Sequence, residues 1–201
     1  MRRFRLLDVM ILVAATAGGC AGVNALLANR DPDEIFSWNF LSDVAGAIFE
    51  STDFGMRWML PLMLCGEVLS LCAPIAAAWG VALIAIRWIG PRPRWRRLAR
   101  QPGMMACCAS TLSIFFLGWH AMIYALGHRY QMIVDSAAGP VGTTLIIWQM
   151  LNGLAVVAAW MTLFLGGRWR AEPSWIDRLG RAIGVYWVMN SLSVVHLLFV
   201  I

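Results

Sequence analysis

Six side chains able to exchange protons or hydrogen-bond strongly fall inside long apolar runs: Glu67, His120, Gln149, Asn152, Asn190 and His196. Ionisable groups are costly at membrane depth, and by default they mark function there. Three chemistries fit these residue types. The first is structural, with Glu67 neutral or paired with His120 and the amides bridging neighbouring helices at roughly 0.6–2 kcal/mol per contact. The second is a path for protons or a small solute, in which Glu67 and His120 exchange protons. The third is a bis-histidine haem b between His120 and His196, since axial imidazole ligation is chemically sound. The structural network is the preferred reading, so no cofactor, metal ligand or catalytic residue is predicted.

Helical spacing groups these residues with others. Glu67, Ser70 and Pro74 share one face, and Gln149 and Asn152 share another. Ser113, Phe116, His120 and Tyr124 line a third stripe. Tyr186, Asn190 and Ser193 line a fourth, with His196 at its edge. Such stripes can meet inside a helical bundle.

The elements that carry them are set by composition. The chain has 201 residues, 60% hydrophobic and only 13% charged, with mean hydropathy +0.69. Soluble domains average about 45–50% apolar and about 25% charged. A helix needs roughly 20 mostly apolar residues to cross a bilayer, and five stretches qualify: 6–28, 58–86, 104–126, 140–165 and 181–201. They are too long and too continuously apolar for barrel strands. The predicted fold is an all-α integral membrane bundle of five transmembrane helices forming one domain over 1–201.

Charge orients the bundle. Arg87, Arg92, Arg94, Arg96, Arg97 and Arg100 fall in the loop 87–103, which has no acidic residue, and excess arginine in a short loop marks the cytoplasmic side. The loop 29–57 is acidic, with Asp31, Asp33, Glu34, Asp43, Glu50 and Asp53 against Arg30 and Arg57. Arg2, Arg3 and Arg5 precede the first span, and Arg168, Arg170, Arg178 and Arg181 precede the last. An N-terminus in the cytoplasm and a C-terminus in the periplasm satisfy every loop. The arginine loop is read as a topological lock that also contacts anionic lipid headgroups. It is not read as a nucleic-acid surface.

Local signals refine this plan. Ala14, Gly18 and Gly22 recur at every fourth position, a small-residue stripe suited to close helix contact within the bundle or with a partner, another membrane protein or a second copy. The first span is read as retained; cleavage at Cys20, as in a lipoprotein, is the alternative. Pro61 is expected in the first turn of span two, and Pro74 is expected to kink that span. Ser174 and Asp177 form an S-x-x-D capping pattern. The helix they start is expected to lie at the interface through Leu179 before entering the bilayer. Trp38, Phe40, Val44, Ile48 and Phe49 suggest an amphipathic helix in the acidic loop.

Cys20, Cys65, Cys72, Cys107 and Cys108 show no metal or disulfide spacing and are expected to act as buried soft hydrophobes. Trp58, Trp88, Trp95, Trp169 and Trp175 fall at predicted interfaces, whereas Trp119, Trp148, Trp160 and Trp187 are expected to pack within spans. The acidic run Asp31, Asp33, Glu34 is read as solvated. Walker, Rossmann, H-E-x-x-H and G-x-S-x-G patterns do not occur.

The opening Arg3-Phe4-Arg5-Leu6-Leu7-Asp8-Val9-Met10-Ile11-Leu12-Val13-Ala14-Ala15 resembles the start of uncharacterised multi-pass membrane proteins of planctomycete-type bacteria. The segment Trp175-Ile176-Asp177-Arg178-Leu179-Gly180-Arg181-Ala182-Ile183-Gly184 is similar to one that precedes a last span in such proteins. The resemblance implies a bacterial inner membrane and attaches no activity. A non-catalytic accessory, scaffold or interaction role is therefore expected. The alternative is a small transporter or proton-coupled protein using Glu67 and His120.

Overall fold

The computed structural model describes residues 5–28, 46, 54–89, 98–129 and 139–200. Among these, five long helices follow in chain order: α1 (Leu6–Ala28), α2 (Phe54–Ile89), α3 (Pro102–Arg129), α4 (Gly139–Leu165) and α5 (Trp175–Val200). The fold is all-α. Among the described residues, three helical segments are long and apolar enough to cross a membrane: Leu6–Ala25, Val68–Ile89 and Ile147–Leu165. α3 opens with a shorter apolar stretch, Pro102–Ile114.

Around an apolar core, side-chain placement departs from that of a water-soluble protein. Leu6, Met10, Val13, Leu112, Leu154, Phe164 and Leu165 point outward, while Asp8, Arg87, Gln101, Ser110, Ser113, Gln149, Asn152, Asp177, Asn190 and Ser191 are buried. Water rewards the opposite arrangement. In lipid, polar groups must find partners inside the protein.

α2, α3 and α5 pack on one another, and α3 and α5 both pack on α4. Trp187 is wholly buried at the centre, edge-on to Trp148 of α4 at 5.2 Å and to its neighbour Tyr186 at 5.2 Å. Small residues set the helix spacing. A Cβ on Gly153 of α4 would lie 2.1 Å from Ser191 Cβ, and one on Gly180 of α5 would lie 2.6 Å from the Gly103 carbonyl oxygen. At these two crossings the backbones are too close for any side chain.

α1 packs against α2. A Cβ on Gly19 would meet Ile75 Cα at 2.6 Å, one on Gly22 would meet Pro74 Cβ at 2.9 Å, and Trp79 Nε1 donates to Thr16 Oγ1 at 2.9 Å. Asp8, three residues into the helix entry, accepts from the Arg5 N–H at 3.2 Å and caps it. Just past its end at Leu165, α4 is closed by Gly167, whose φ of +58° lets Arg168 N–H reach the Leu163 carbonyl at 2.9 Å. This is the left-handed closure that glycine makes cheaply.

Several boundaries differ from the sequence expectation. α2 begins at Phe54, so Pro61 lies about two turns inside it rather than in its first turn. Pro74, where a kink is expected, lies within the same helix and packs against Gly22. Cys20, Cys65 and Cys72 are exposed rather than buried, because they lie on outward faces of α1 and α2; Cys107 is buried and all five thiols are free. Trp119 likewise points outward, whereas Trp148 and Trp187 are core. The expected helix around Trp38 to Phe49 lies outside the described residues, as do Arg92, Arg94, Arg96 and Arg97.

Candidate functional site

The polar residues of α3, α4 and α5 converge in one layer. Ser113 Oγ donates to Asn152 Oδ1 at 2.6 Å, and Trp148 Nε1 donates to Ser113 Oγ at 3.1 Å. Gln149 Nε2 donates to Ser70 Oγ of α2 at 2.6 Å, and Ser191 Oγ of α5 donates to the Met150 carbonyl at 3.3 Å. The Tyr186 hydroxyl donates to the Leu69 carbonyl, which ties α5 to α2. Each bond joins two helices in a setting where an unmade bond is costly.

The layer is not saturated. Asn190 is fully buried, yet neither its amide nitrogen nor its amide oxygen has a partner. Asn152 Nδ2, Gln149 Oε1 and Trp187 Nε1 are also buried without one. Gln149, Asn152 and Asn190 therefore occupy the interior, as the stripes require. Glu67 lies on α2, His120 on α3 and His196 on α5, but their side chains lie outside those described. Among the described residues, no group of three His, Cys, Asp or Glu side chains could hold a metal ion.

A second polar cluster, unforeseen from sequence, closes one end of the core. Arg87, at the last turn of α2, is buried and its Nη2 donates to Glu172 Oε2 at 2.9 Å and to Gln101 Oε1 at 3.3 Å. Asp177, in the first turn of α5, accepts from Gly103 N–H at 2.9 Å and from Glu172 N–H at 3.2 Å. Its own N–H is held by Ser174 Oγ at 3.4 Å, which is one arm of the predicted capping pattern. The carboxylate, however, reaches across to α3 instead of back to Ser174. Arg181 Nε lies 3.4 Å from Asp177 Oδ2, close enough for an ion pair though not aligned for a hydrogen bond.

Burial pushes the Asp177 carboxyl above the ordinary carboxylate range, and the Glu172 carboxylate adds to the rise. The Gly103 N–H, the Arg181 guanidinium and the Glu172 N–H oppose it. Two further links fix this end: Arg170 N–H donates to the Arg100 carbonyl at 3.0 Å, and Trp160 Nε1 donates to the Pro102 carbonyl at 2.9 Å.

The remaining sequence candidates separate. Arg87 is internal, whereas Arg100 is exposed. In the stripe Ala14, Gly18, Gly22, only Gly22 meets α2; Ala14 is exposed and a Cβ on Gly18 would touch nothing within 4 Å. Gly19, one residue on, makes the closest approach instead. Comparison with family models, with curated proteins and with solved structures finds no match to this chain.

Proposed function

We propose that this chain is a multi-pass bacterial inner-membrane protein that acts as a non-catalytic accessory, scaffold or interaction protein. Five spans, with the N-terminus and the Arg87 end in the cytoplasm and the C-terminus in the periplasm, agree with its loop charges. The observation that carries the reading is the engagement of interior polar groups in helix-to-helix bonds: Ser113 to Asn152, Gln149 to Ser70, Tyr186 to the Leu69 carbonyl and Ser191 to the Met150 carbonyl. Such bonds define one packing of the bundle. In vivo cross-linking followed by purification from native membranes tests it. A stoichiometric membrane partner is expected, and a chain recovered only as isolated monomers would defeat the interaction role.

The unpartnered amides favour one second reading, a small transporter or proton-coupled protein using Glu67 and His120. Asn190, Asn152 and Gln149 keep free donors and acceptors in the layer such a path would cross. In proteoliposomes, proton flux abolished by Glu67→Gln would favour this reading. Flux absent from the unaltered protein would dismiss it.

A further inference from the structure

We propose that the groove between α3 and α4 binds an anionic glycerophospholipid, with an acyl chain in the groove and the phosphodiester among Arg100, Arg168 and Arg170. The groove has a volume of about 570 Å³ and an almost wholly apolar wall that includes Met105, Cys108, Leu112, Leu154 and Ala158. On α3 it runs from Met105 to Ser113, about 12 Å at 1.5 Å per residue. That is most of one leaflet's share of a roughly 30 Å hydrocarbon core. Ser113, at its inner end, is already engaged with Asn152 and Trp148.

The arginines stand at the ends of the two helices that form its walls. Arg100 lies in the turn that enters α3, and Arg168 and Arg170 follow the end of α4. The Arg170 N–H bond to the Arg100 carbonyl brings the two segments together through the backbone, which leaves all three side chains exposed. None has an acidic partner among the described residues. The acids nearby are already engaged, Glu172 by Arg87 and Asp177 by Gly103, Glu172 N–H and Arg181. Trp169 stacks edge-on against Trp160 at 6.0 Å, and the outward Phe164 and Leu165 directly precede the arginines. Apolar surface passing through indoles into uncompensated arginine is the sequence of environments a lipid presents from chain to phosphate. A soluble polyanion would not use the groove.

The inference rests on membrane residence, and not on the scaffold role. Native mass spectrometry of the full chain in detergent, with phosphatidylglycerol against phosphatidylcholine of identical chains, tests it. Retention of phosphatidylglycerol is expected to be at least about tenfold stronger. The Arg100→Gln/Arg168→Gln/Arg170→Gln variant should bring that ratio to near one, and Ala158→Phe should weaken retention of both lipids. Equal retention by the unaltered protein overturns the proposal, as does a preference unchanged in the triple variant or retention unchanged by Ala158→Phe. Glycerol 3-phosphate competing as well as the lipid would make the site one for free phosphate. Displacement by a single-stranded oligonucleotide at lower concentration would make it one for nucleic acid. Either outcome overturns the lipid assignment. Extraction of the chain from membranes by alkaline carbonate would instead overturn membrane residence itself.

Discussion

The two polar clusters solve burial with different kinds of group. At the Arg87 end the groups are formally charged, and each of Arg87, Glu172, Asp177 and Arg181 meets an opposite charge or a backbone N–H, although Arg87 Nε, Gln101 Nε2 and Arg181 Nε make no hydrogen bond. In the mid-bundle layer the groups are neutral amides and hydroxyls, and some remain unanswered, Asn190 on both amide atoms. An unpaired buried charge is far costlier than an unpaired amide. Charge is thus confined to places where several partners converge, and neutral groups tolerate the looser site. The difference is in kind of group: the Arg87 end leaves only donors unanswered, whereas the amide layer leaves both donors and acceptors.

The sharpest way to break this contrast is to empty the charged cluster. Asp177→Ala removes the acceptor shared by two backbone N–H groups and strands Arg181, so it should cost about 3 kcal/mol in detergent unfolding. Asp177→Asn, which keeps one carbonyl acceptor, should cost less. The amide layer should respond unevenly. Asn152→Leu removes the acceptor for Ser113 and should cost about 1 kcal/mol, whereas Asn190→Leu should change stability by less than about 0.5 kcal/mol or raise it. A large loss in Asn190→Leu would mean that its amide is engaged in the membrane, and the contrast would collapse.

A double-mutant cycle on Arg87 and Glu172 should give a coupling of about 1 kcal/mol, since Glu172 is partly exposed and solvent screens the pair. The smallest effect is that of pH. A carboxyl raised on folding binds its proton more tightly in the native state, so its contribution falls as pH rises from the ordinary value of 3.8 through the raised one. Unfolding temperature should therefore decline slightly with pH across that window, and Asp177→Asn should flatten the slope.

The helices were legible because long apolar runs report themselves without any partner, and α1 and α4 begin and end close to where the sequence places them. The amide layer was legible in part, since period-3.6 spacing put Gln149 with Asn152 and Ser113 with its stripe. The closing cluster was not. Arg87 and Glu172 are 85 residues apart, and no periodicity connects them. The available signal was scarcity: Glu172 and Asp177 are the only acids in an otherwise arginine-rich loop and helix start. Gly18 and Gly19 show a different limit. Adjacent glycines offer faces about 100° apart, and only the packing of Ile75 selects between them.

The way α1 and α5 are attached has a consequence for biogenesis. α1 rests on α2, its immediate successor, so that helical hairpin can close as soon as Ile89 has entered the membrane. α5, the last of the five helices to be synthesised, touches α2, α3 and α4 and carries Asp177 in its opening turn. Until it arrives, the Gly103 N–H has no carboxylate to meet and the Ser113 layer lacks its third wall. Among the described helices, α5 therefore completes a bundle whose first four members are already joined through α2 and α3, and a ribosome stalled before Trp175 would leave those four packed but without the Asp177 cluster.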